Sequence, residues 1–347
     1  MKHNRIVFIV PYYGKFPEYF REWVYSAGFL EKQDIDFLLI TDIDIPFTLP
    51  GNIHILKMTF AQFQKKVQDK FDFKIGLATP YKICDFKATL GYIFEEEIKD
   101  YSFWGNCDID QVWGNVRKFI TDEILNAYDR IQFLGHFILY RNCDAMNRLF
   151  MKPGAIYDYR KVLSDEMHYS FCEHSGMMKI VVDNHISNYL AINYADLSPR
   201  YTRMMVSRRD NYDYQIMYWD NGHVYRSYID VNGDVQTEEF MYFHYQRKHP
   251  KSMSCWSENH TPKRFIYRAD GFIEVDAVEI TTDFIKQYAD FISEENDRKE
   301  KHEYLKNKIK QFVRAPMKKK VLWVKQRNAT RYVIRHEEYF GKNYSNV

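Results

Sequence analysis

Cysteine is sparse and scattered in this 347-residue chain: Cys84, Cys107, Cys143, Cys172 and Cys255 are odd in number and show no C-x-x-C spacing. That pattern argues against both a disulfide framework and a zinc site, and leaves the five as small core residues. No apolar run reaches the roughly 18 to 20 residues needed to span a bilayer. The opening residues Met1-Lys2-His3-Asn4-Arg5 run straight into Ile6-Val7-Phe8-Ile9-Val10 without a small-residue cleavage site, so the expectation is a cytoplasmic protein. Internal repeats and low-complexity segments are lacking too, which sets aside solenoids and biased linkers. One stretch lacks acid altogether. From Lys306 to Arg335 there are eleven Lys or Arg and no Asp or Glu; a net charge of +2 less those eleven leaves −9 on the remainder. A basic tail on an acidic domain faces something anionic.

What is present is bulk, with 46% hydrophobic and 17% aromatic residues, enough for a full core. Ile6 to Val10 is a continuous apolar run stopped by Pro11, and Phe16 to Leu30 carries Phe20, Trp23, Val24 and Ala27 at helical spacing. Ile35 to Ile40 is a second strand, and Ile53 to Leu56 a third. Phe60 to Phe71 reads as a polar helix and Tyr81 to Ile98 as another, bearing Leu90, Ile93, Phe94 and Ile98. Strands alternating with helices predict an α/β fold, a mostly parallel sheet flanked by helices. Ligands of such sheets sit at the carboxyl ends of the strands, where Pro11-Tyr12-Tyr13-Gly14, Thr41-Asp42 and Cys107-Asp108-Ile109-Asp110 would converge. Further on, Ile131 to Asn142 reads as one strand, and 143–200 as helix and loop. Tyr225–Ile229 and Phe240–Tyr245 read as antiparallel strands on either side of the turn Asn232-Gly233-Asp234. Beyond Asp276 the pattern is helical with a break at Pro316, which divides the chain into a domain of residues 1–275 and a helical basic extension of residues 276–347.

Asp108 and Asp110 are the first candidates for chemistry. In the turn after a strand two such carboxylates can converge on one ion, and oxygen ligation suits Mg²⁺ or Mn²⁺, which fill their shells with water and phosphate oxygens. Asp42-Ile43-Asp44 repeats the D-x-D spacing, and Asp side chains also cap turns.

Context separates the two. The run Pro80-Tyr81-Lys82-Ile83-Cys84-Asp85-Phe86-Lys87, followed by Phe103-Trp104-Gly105-Asn106-Cys107-Asp108-Ile109-Asp110, resembles the core of the GT-A class of nucleotide-sugar glycosyltransferases. There, a helix bearing an Asp and a basic residue precedes a strand that ends in a D-x-D metal motif. With Gly135-His136-Phe137 to Asn142 and the late His244-Tyr245-Gln246, the chain looks more narrowly like bacterial glycosyltransferase-like proteins from polysaccharide gene clusters, over roughly residues 1–255. The resemblance implies a GT-A, Rossmann-like fold in which Asp108, Asp110 and His244 hold Mn²⁺ or Mg²⁺ against a nucleoside diphosphate, a UDP-sugar donor being favoured. It implies donor contacts at Pro11, Tyr12, Tyr13, Thr41, Asp42, Lys82, Asp85, Lys87, Ile109, Arg247 and Lys248, and an acceptor contact at His136. Asp85 would bind donor-sugar hydroxyls. The family's basic residue stands three positions after that Asp, whereas here Lys87 follows after two, and Asp85 reads equally as an ion-pair partner of Lys82. Asp42 reads equally as a cap, and His136 and His244 as core histidines. A carboxylate base for the acceptor hydroxyl falls among Asp165, Glu166 and Glu173; the resembling segment reads F-D-E, which Phe171-Cys172-Glu173 matches cleanly at Glu173 alone. The late histidine tilts the reading toward a retaining mechanism, in which the departing phosphate takes the proton.

The span 306–335 places Leu305, Ile309, Phe312 and Val313 on one helical face among lysines, with Trp323 between basic residues. That composition fits a helix at an anionic membrane surface, and so an acceptor that is a glycan or a lipid-linked glycan, as well as a charged helix packed on the domain. Nucleic acid is not expected, because the main domain is acidic. Two rival classes stand beside the transferase. One is a haloacid-dehalogenase-like phosphohydrolase with Asp108 as nucleophile; that motif normally ends the first strand of its domain, and here three strand-like segments precede it. The other is a non-catalytic sugar-binding protein on the same fold.

Overall fold

An unbroken run of Ile and Val belongs in the middle of a sheet covered on both faces, and Ile6–Pro11 takes that position as β1. The computed structural model describes residues 3–246, 248–256, 260–290 and 294–340. The further strands are β2 (Ile35–Thr41), β3 (Ile53–Lys57), β4 (Phe103–Cys107), β5 (Gln111–Trp113), β6 (Arg130–Ile131), β7 (Phe137–Arg141), β8 (Asn188–Tyr189), β9 (Ala195–Asp196), β10 (Gln215–Asp220), β11 (His223–Ile229), β12 (Val235–Phe240), β13 (Tyr242–His244), β14 (Arg264–Arg268) and β15 (Gly271–Glu274). The main sheet has seven strands in the order β3-β2-β1-β4-β7-β6-β8. It is mostly parallel: β1 runs with β2 and β4, β2 with β3, and β6 with β8, while β7 is antiparallel to β4 and β6. The fold is therefore α/β, as the alternation predicts.

Strand alternation sends Ile6, Phe8 and Val10 into one apolar layer, and Val7 and Ile9 into the other. The helix Phe20–Gly28 buries Phe20, Trp23, Val24 and Ala27 on the first face. On the opposite face, helix Phe60–Gln68 buries Phe63 and Val67 and starts in a reciprocal Thr59/Gln62 capping box, a device worth about 1 kcal/mol.

Three expectations change. The helix expected over Tyr81–Ile98 is a chain of short pieces, with α-helix only at Ile83–Phe86 and Leu90–Ile93. The Thr89 hydroxyl donates to the Phe86 carbonyl (2.8 Å) and competes with the helical ladder. Ile131 to Asn142 is two strands rather than one, because Gln132 takes a left-handed backbone (φ 64°) and the chain turns back before Phe137. The hairpin partner of β11 is β12, through a turn in which Asp230 Oδ1 accepts from the Asn232 and Asp234 amides (2.9 and 3.0 Å). β13 leaves that antiparallel sheet, ordered β12-β11-β10-β14-β15, for a three-stranded one, β5-β13-β9.

The C-terminal part is helical: Thr282–Tyr288, Glu294–Arg314 and, beyond Pro316, Met317–Val333. The last of these does not hang free. Leu322 and Val333 enter the main core, and Gln326 donates to the Tyr169 carbonyl (2.6 Å).

Candidate active site

Two strand pairings assemble the acidic cluster. β13 lies antiparallel to β5, setting His244 opposite Gln111, and parallel to β9, setting His244 opposite Asp196. Asp108 to Asp110 form the link between β4 and β5, held by the Trp23 indole on the Asp108 carbonyl (3.2 Å) and the Tyr245 amide on the Asp110 carbonyl (3.1 Å). One ligand atom each from Asp108, Asp110 and His244 falls within 4.8 Å of the others. His244 Nδ1 bonds Asp196 Oδ1 (2.8 Å), which leaves Nε2 facing Asp110 Oδ1 at 3.4 Å. Gln246 Nε2 donates to the same Asp196 oxygen (2.6 Å) and fixes it in turn.

This is a carboxylate–imidazole pair with one ring nitrogen oriented and the other left for an ion, beside two carboxylates. The donor set fits Mn²⁺ or Mg²⁺. A second trio, His136, Asp196 and His244, also lies within 4.8 Å. It would need the face of His244 that Asp196 already occupies, and both His136 and Asp196 are buried, so the Asp108 side is the open one.

The charges agree with that reading. Burial pulls the His244 imidazolium down, but Asp110 and Asp196 outweigh it and push its pKa up to about 10. Asp196, which burial would raise, is held at about 2, first by the bond from His244 and then by the charges of His136 and His244. His136 stacks on His244 with ring centroids 4.1 Å apart and bonds the Tyr242 hydroxyl through Nδ1 (3.0 Å). Burial, and then the His244 charge, hold it well below its ordinary value. Without an ion, then, His244 carries the positive charge that lets this acidic cluster stay buried.

The cluster separates two lobes of one cleft. The outer lobe, about 420 Å³, lies at the ends of β1 and β4, with Pro11, Tyr12, Tyr13, Lys87, Ile109 and the two aspartates in its wall. The inner lobe, about 390 Å³, is reached past the same Lys87, Asp108 and Asp110, and contains His136, Glu173, Asp196 and His244. Each is of ligand-binding size. Lys87 pairs with Asp108 and donates to the Gly135 carbonyl (2.9 Å). Burial opposes its charge, but Asp108 more than compensates and keeps it protonated. Glu173 is raised by burial and, in spite of Lys87, by the nearby Asp108.

Of the residues expected at the site, Pro11, Tyr12, Tyr13, Lys87, Asp108, Ile109, Asp110, His136, Glu173 and His244 line the cleft. The others do not. Asp85 is fully buried: its two oxygens accept the Tyr169 and Phe171 amides (2.8 and 3.0 Å), and Lys82 bonds it at 2.8 Å while donating to the Val162 and Met167 carbonyls. The pair pins the 167–171 loop, so neither residue has a face for donor sugar. Asp165 is likewise structural. Burial would raise it, but Lys318, the Met167 amide, Tyr169 and Lys161 hold it below the usual carboxylate range. Glu166 is exposed, Asp42 is exposed, and Thr41 is buried, where its hydroxyl accepts the Ile43 amide (3.1 Å); none of the three lines either lobe. The Lys248 ammonium serves the Tyr201 and Thr202 carbonyls. Arg247 lies outside the described residues. Sequence reasoning missed Asp196, which sits on a two-residue strand with no motif around it, and Tyr81 and Cys84, shared by both lobes.

The model of a family described only as a family of unknown function (DUF6625) matches residues 8–276. The chain belongs to that family. The match takes in both lobes of the cleft and stops short of the long C-terminal helices. No curated protein and no solved structure matches the chain.

Proposed function

We propose that the protein is a metal-dependent glycosyltransferase of the GT-A type, moving a sugar from a nucleotide donor, a UDP-sugar by preference, to a surface-polysaccharide or lipid-linked glycan. The observation that carries this reading is the convergence of Asp108, Asp110 and Nε2 of His244 at the strand ends, between two ligand-sized lobes. Bound there, Mn²⁺ or Mg²⁺ would supply positive charge to the departing diphosphate. Tyr12 in the outer lobe offers aromatic and hydroxyl surface to a base or ribose, Tyr13 adds an apolar wall, and Lys87 is a second cation at the junction. In the transfer, the bond from the anomeric carbon to the β-phosphate oxygen breaks and its electron pair leaves with the nucleoside diphosphate. A bond from the acceptor oxygen to that carbon forms. Glu173, with its raised pKa in the inner lobe, is the chain's own group suited to take the hydroxyl proton.

Among the described residues no helix is long and apolar enough to cross a membrane. Leu305, Ile309 and Val313 are exposed along the helix Glu294–Arg314 beside Lys306, Lys308 and Lys310, which supports a peripheral position on an anionic membrane surface. The test is release of the nucleotide, UDP or GDP from UDP- and GDP-sugars and CMP from CMP-sugars, across a panel of the three donor classes. Release with Mn²⁺ from one class, lost in EDTA and in the Asp110→Asn variant, is expected; equal release by that variant would remove the reading. If Glu173→Gln abolishes transfer, the course is inverting; if activity persists, the phosphate takes the proton, as in a retaining enzyme.

A further inference from the structure

A third cavity, of about 580 Å³, lies outside the matched family region on one side and against it on the other. One wall is the loop end His168 and Ser170 with Tyr81; the other is built by the two long C-terminal helices. His168, Ser170 and Tyr81 also line the inner lobe of the cleft, so the two spaces meet at these side chains. Tyr81 is 68% exposed and stands at the junction with its ring against that of His168, centroids 5.1 Å apart. The helical wall carries Lys308, Lys319 and Arg327, and among the described residues no carboxylate lines the cavity. Among the described residues none of the three is ion-paired, although Lys318 next to them is taken up by Asp165. Phe312 and Trp323 stack between them, centroids 5.7 Å apart, and give the cavity an aromatic side.

Three cations with no carboxylate partner among the described residues, lining a cavity with an aromatic face beside a reaction centre, define a ligand with an anionic group and a ring to lie on the aromatic wall. Resting on the transferase reading above, we infer that this cavity is the acceptor site, and that it takes a phosphate-bearing sugar whose phosphate lies among Lys308, Lys319 and Arg327 while its acceptor hydroxyl reaches past Tyr81 into the inner lobe. The C-terminal helices then select the acceptor, and the cleft handles the donor.

The experiment is calorimetric titration of N-acetylglucosamine 1-phosphate and of N-acetylglucosamine into the full chain in EDTA, which keeps diphosphate chemistry at the metal cluster out of the measurement. UDP with Mn²⁺ is titrated separately. Binding of the sugar phosphate but not of the neutral sugar is expected, weakened about 10- to 100-fold by the exposed pair of substitutions Lys319→Gln/Arg327→Gln with UDP binding unchanged. The same sugar phosphate on a polyprenyl carrier in phosphatidylcholine vesicles separates a lipid-linked source, which binds more tightly than the free compound, from a soluble one, which does not. UDP binding without sugar-phosphate binding overturns the acceptor site and leaves the transferase reading standing; sugar-phosphate binding without UDP binding removes the transferase reading, and with it the acceptor role, and leaves only an anion site in this cavity. Binding confined to phosphatidylglycerol vesicles that lack the sugar would assign the cations to a membrane surface and end the proposal.

Discussion

Asp196 is not itself one of the expected metal ligands, yet the metal reading depends on it through its bond to His244 Nδ1. With His244 at about 10, only about one imidazole in a thousand is neutral at pH 7. A metal ion needs the neutral ring, so its apparent affinity at pH 7 should be about 10³-fold below the limit reached above pH 10, a difference of about 4 kcal/mol. Affinity should therefore rise by about one decade per pH unit across the neutral and mildly alkaline range. Replacing Asp196 by Asn keeps an oxygen to accept from His244 Nδ1 and from Gln246 Nε2, and removes the charge. The His244 pKa then falls by the part that Asp196 supplies, while Asp110, the larger cause, still holds it above its ordinary value, and the affinity flattens at a lower pH. Asp196→Ala loses the orienting bond as well, and should cost about 10- to 100-fold in Mn²⁺ affinity even on the alkaline plateau. The assay is calorimetric Mn²⁺ titration in two buffers of different ionisation enthalpy, which counts protons released. About one proton per ion is expected for the natural chain at neutral pH, and a smaller fraction for Asp196→Asn. Affinity independent of pH with no proton release would refute the reasoning, because His244 would then not be exchanging its proton for the ion.

Four further outcomes follow from the same geometry. Because the folded pKa of His244 lies above its unfolded value, its contribution to stability is complete below about pH 6.5 and is lost as pH rises through about 10; thermal melts in EDTA should show a larger alkaline loss for the natural chain than for His244→Asn. Lys82→Met leaves Asp85 buried without its cation and should cost about 3–5 kcal/mol in denaturant unfolding, with Mn²⁺ affinity of the folded protein kept. A Cβ on Gly91 would stand 2.1 Å from the Trp104 ring, so Gly91→Ala should lose about 1–3 kcal/mol in the same measurement. Glu173→Gln, if the proton goes to Glu173, should lower kcat about 10²- to 10⁴-fold and leave nucleotide affinity in place, which steady-state kinetics and calorimetry separate.

Local chemistry was legible and long-range closure was not. β1 and the helix Phe20–Gly28 follow from a continuous apolar run and a 3.6-residue period, which need nothing beyond neighbouring residues. Asp108 and Asp110 could be read as a pair because the strand before them and the turn between them are both written in adjacent side chains. Asp196 could not, since only the pairing of β13 with β9 brings it to His244, 48 residues away. For Asp85 the ion pair with Lys82, three residues before it, was legible and is present. Its other partners, the Tyr169 and Phe171 amides, are backbone groups 84 and 86 residues on, and a backbone donor leaves no mark in a sequence. Within the basic span 306–335, the sequence left a membrane-facing helix and a helix packed on the domain both open, because the core contacts that Leu322 and Val333 make lie far away in the chain.

The central claim is most directly tested by calorimetric titration of UDP, GDP and CMP into the purified protein, with Mn²⁺ and with EDTA, beside the Asp108→Ala/Asp110→Ala variant. Metal-dependent binding of one nucleotide, UDP by preference, abolished in the variant, is the predicted result; nucleotide binding that is absent with Mn²⁺, or unchanged in the variant, would contradict a donor site built on Asp108, Asp110 and His244.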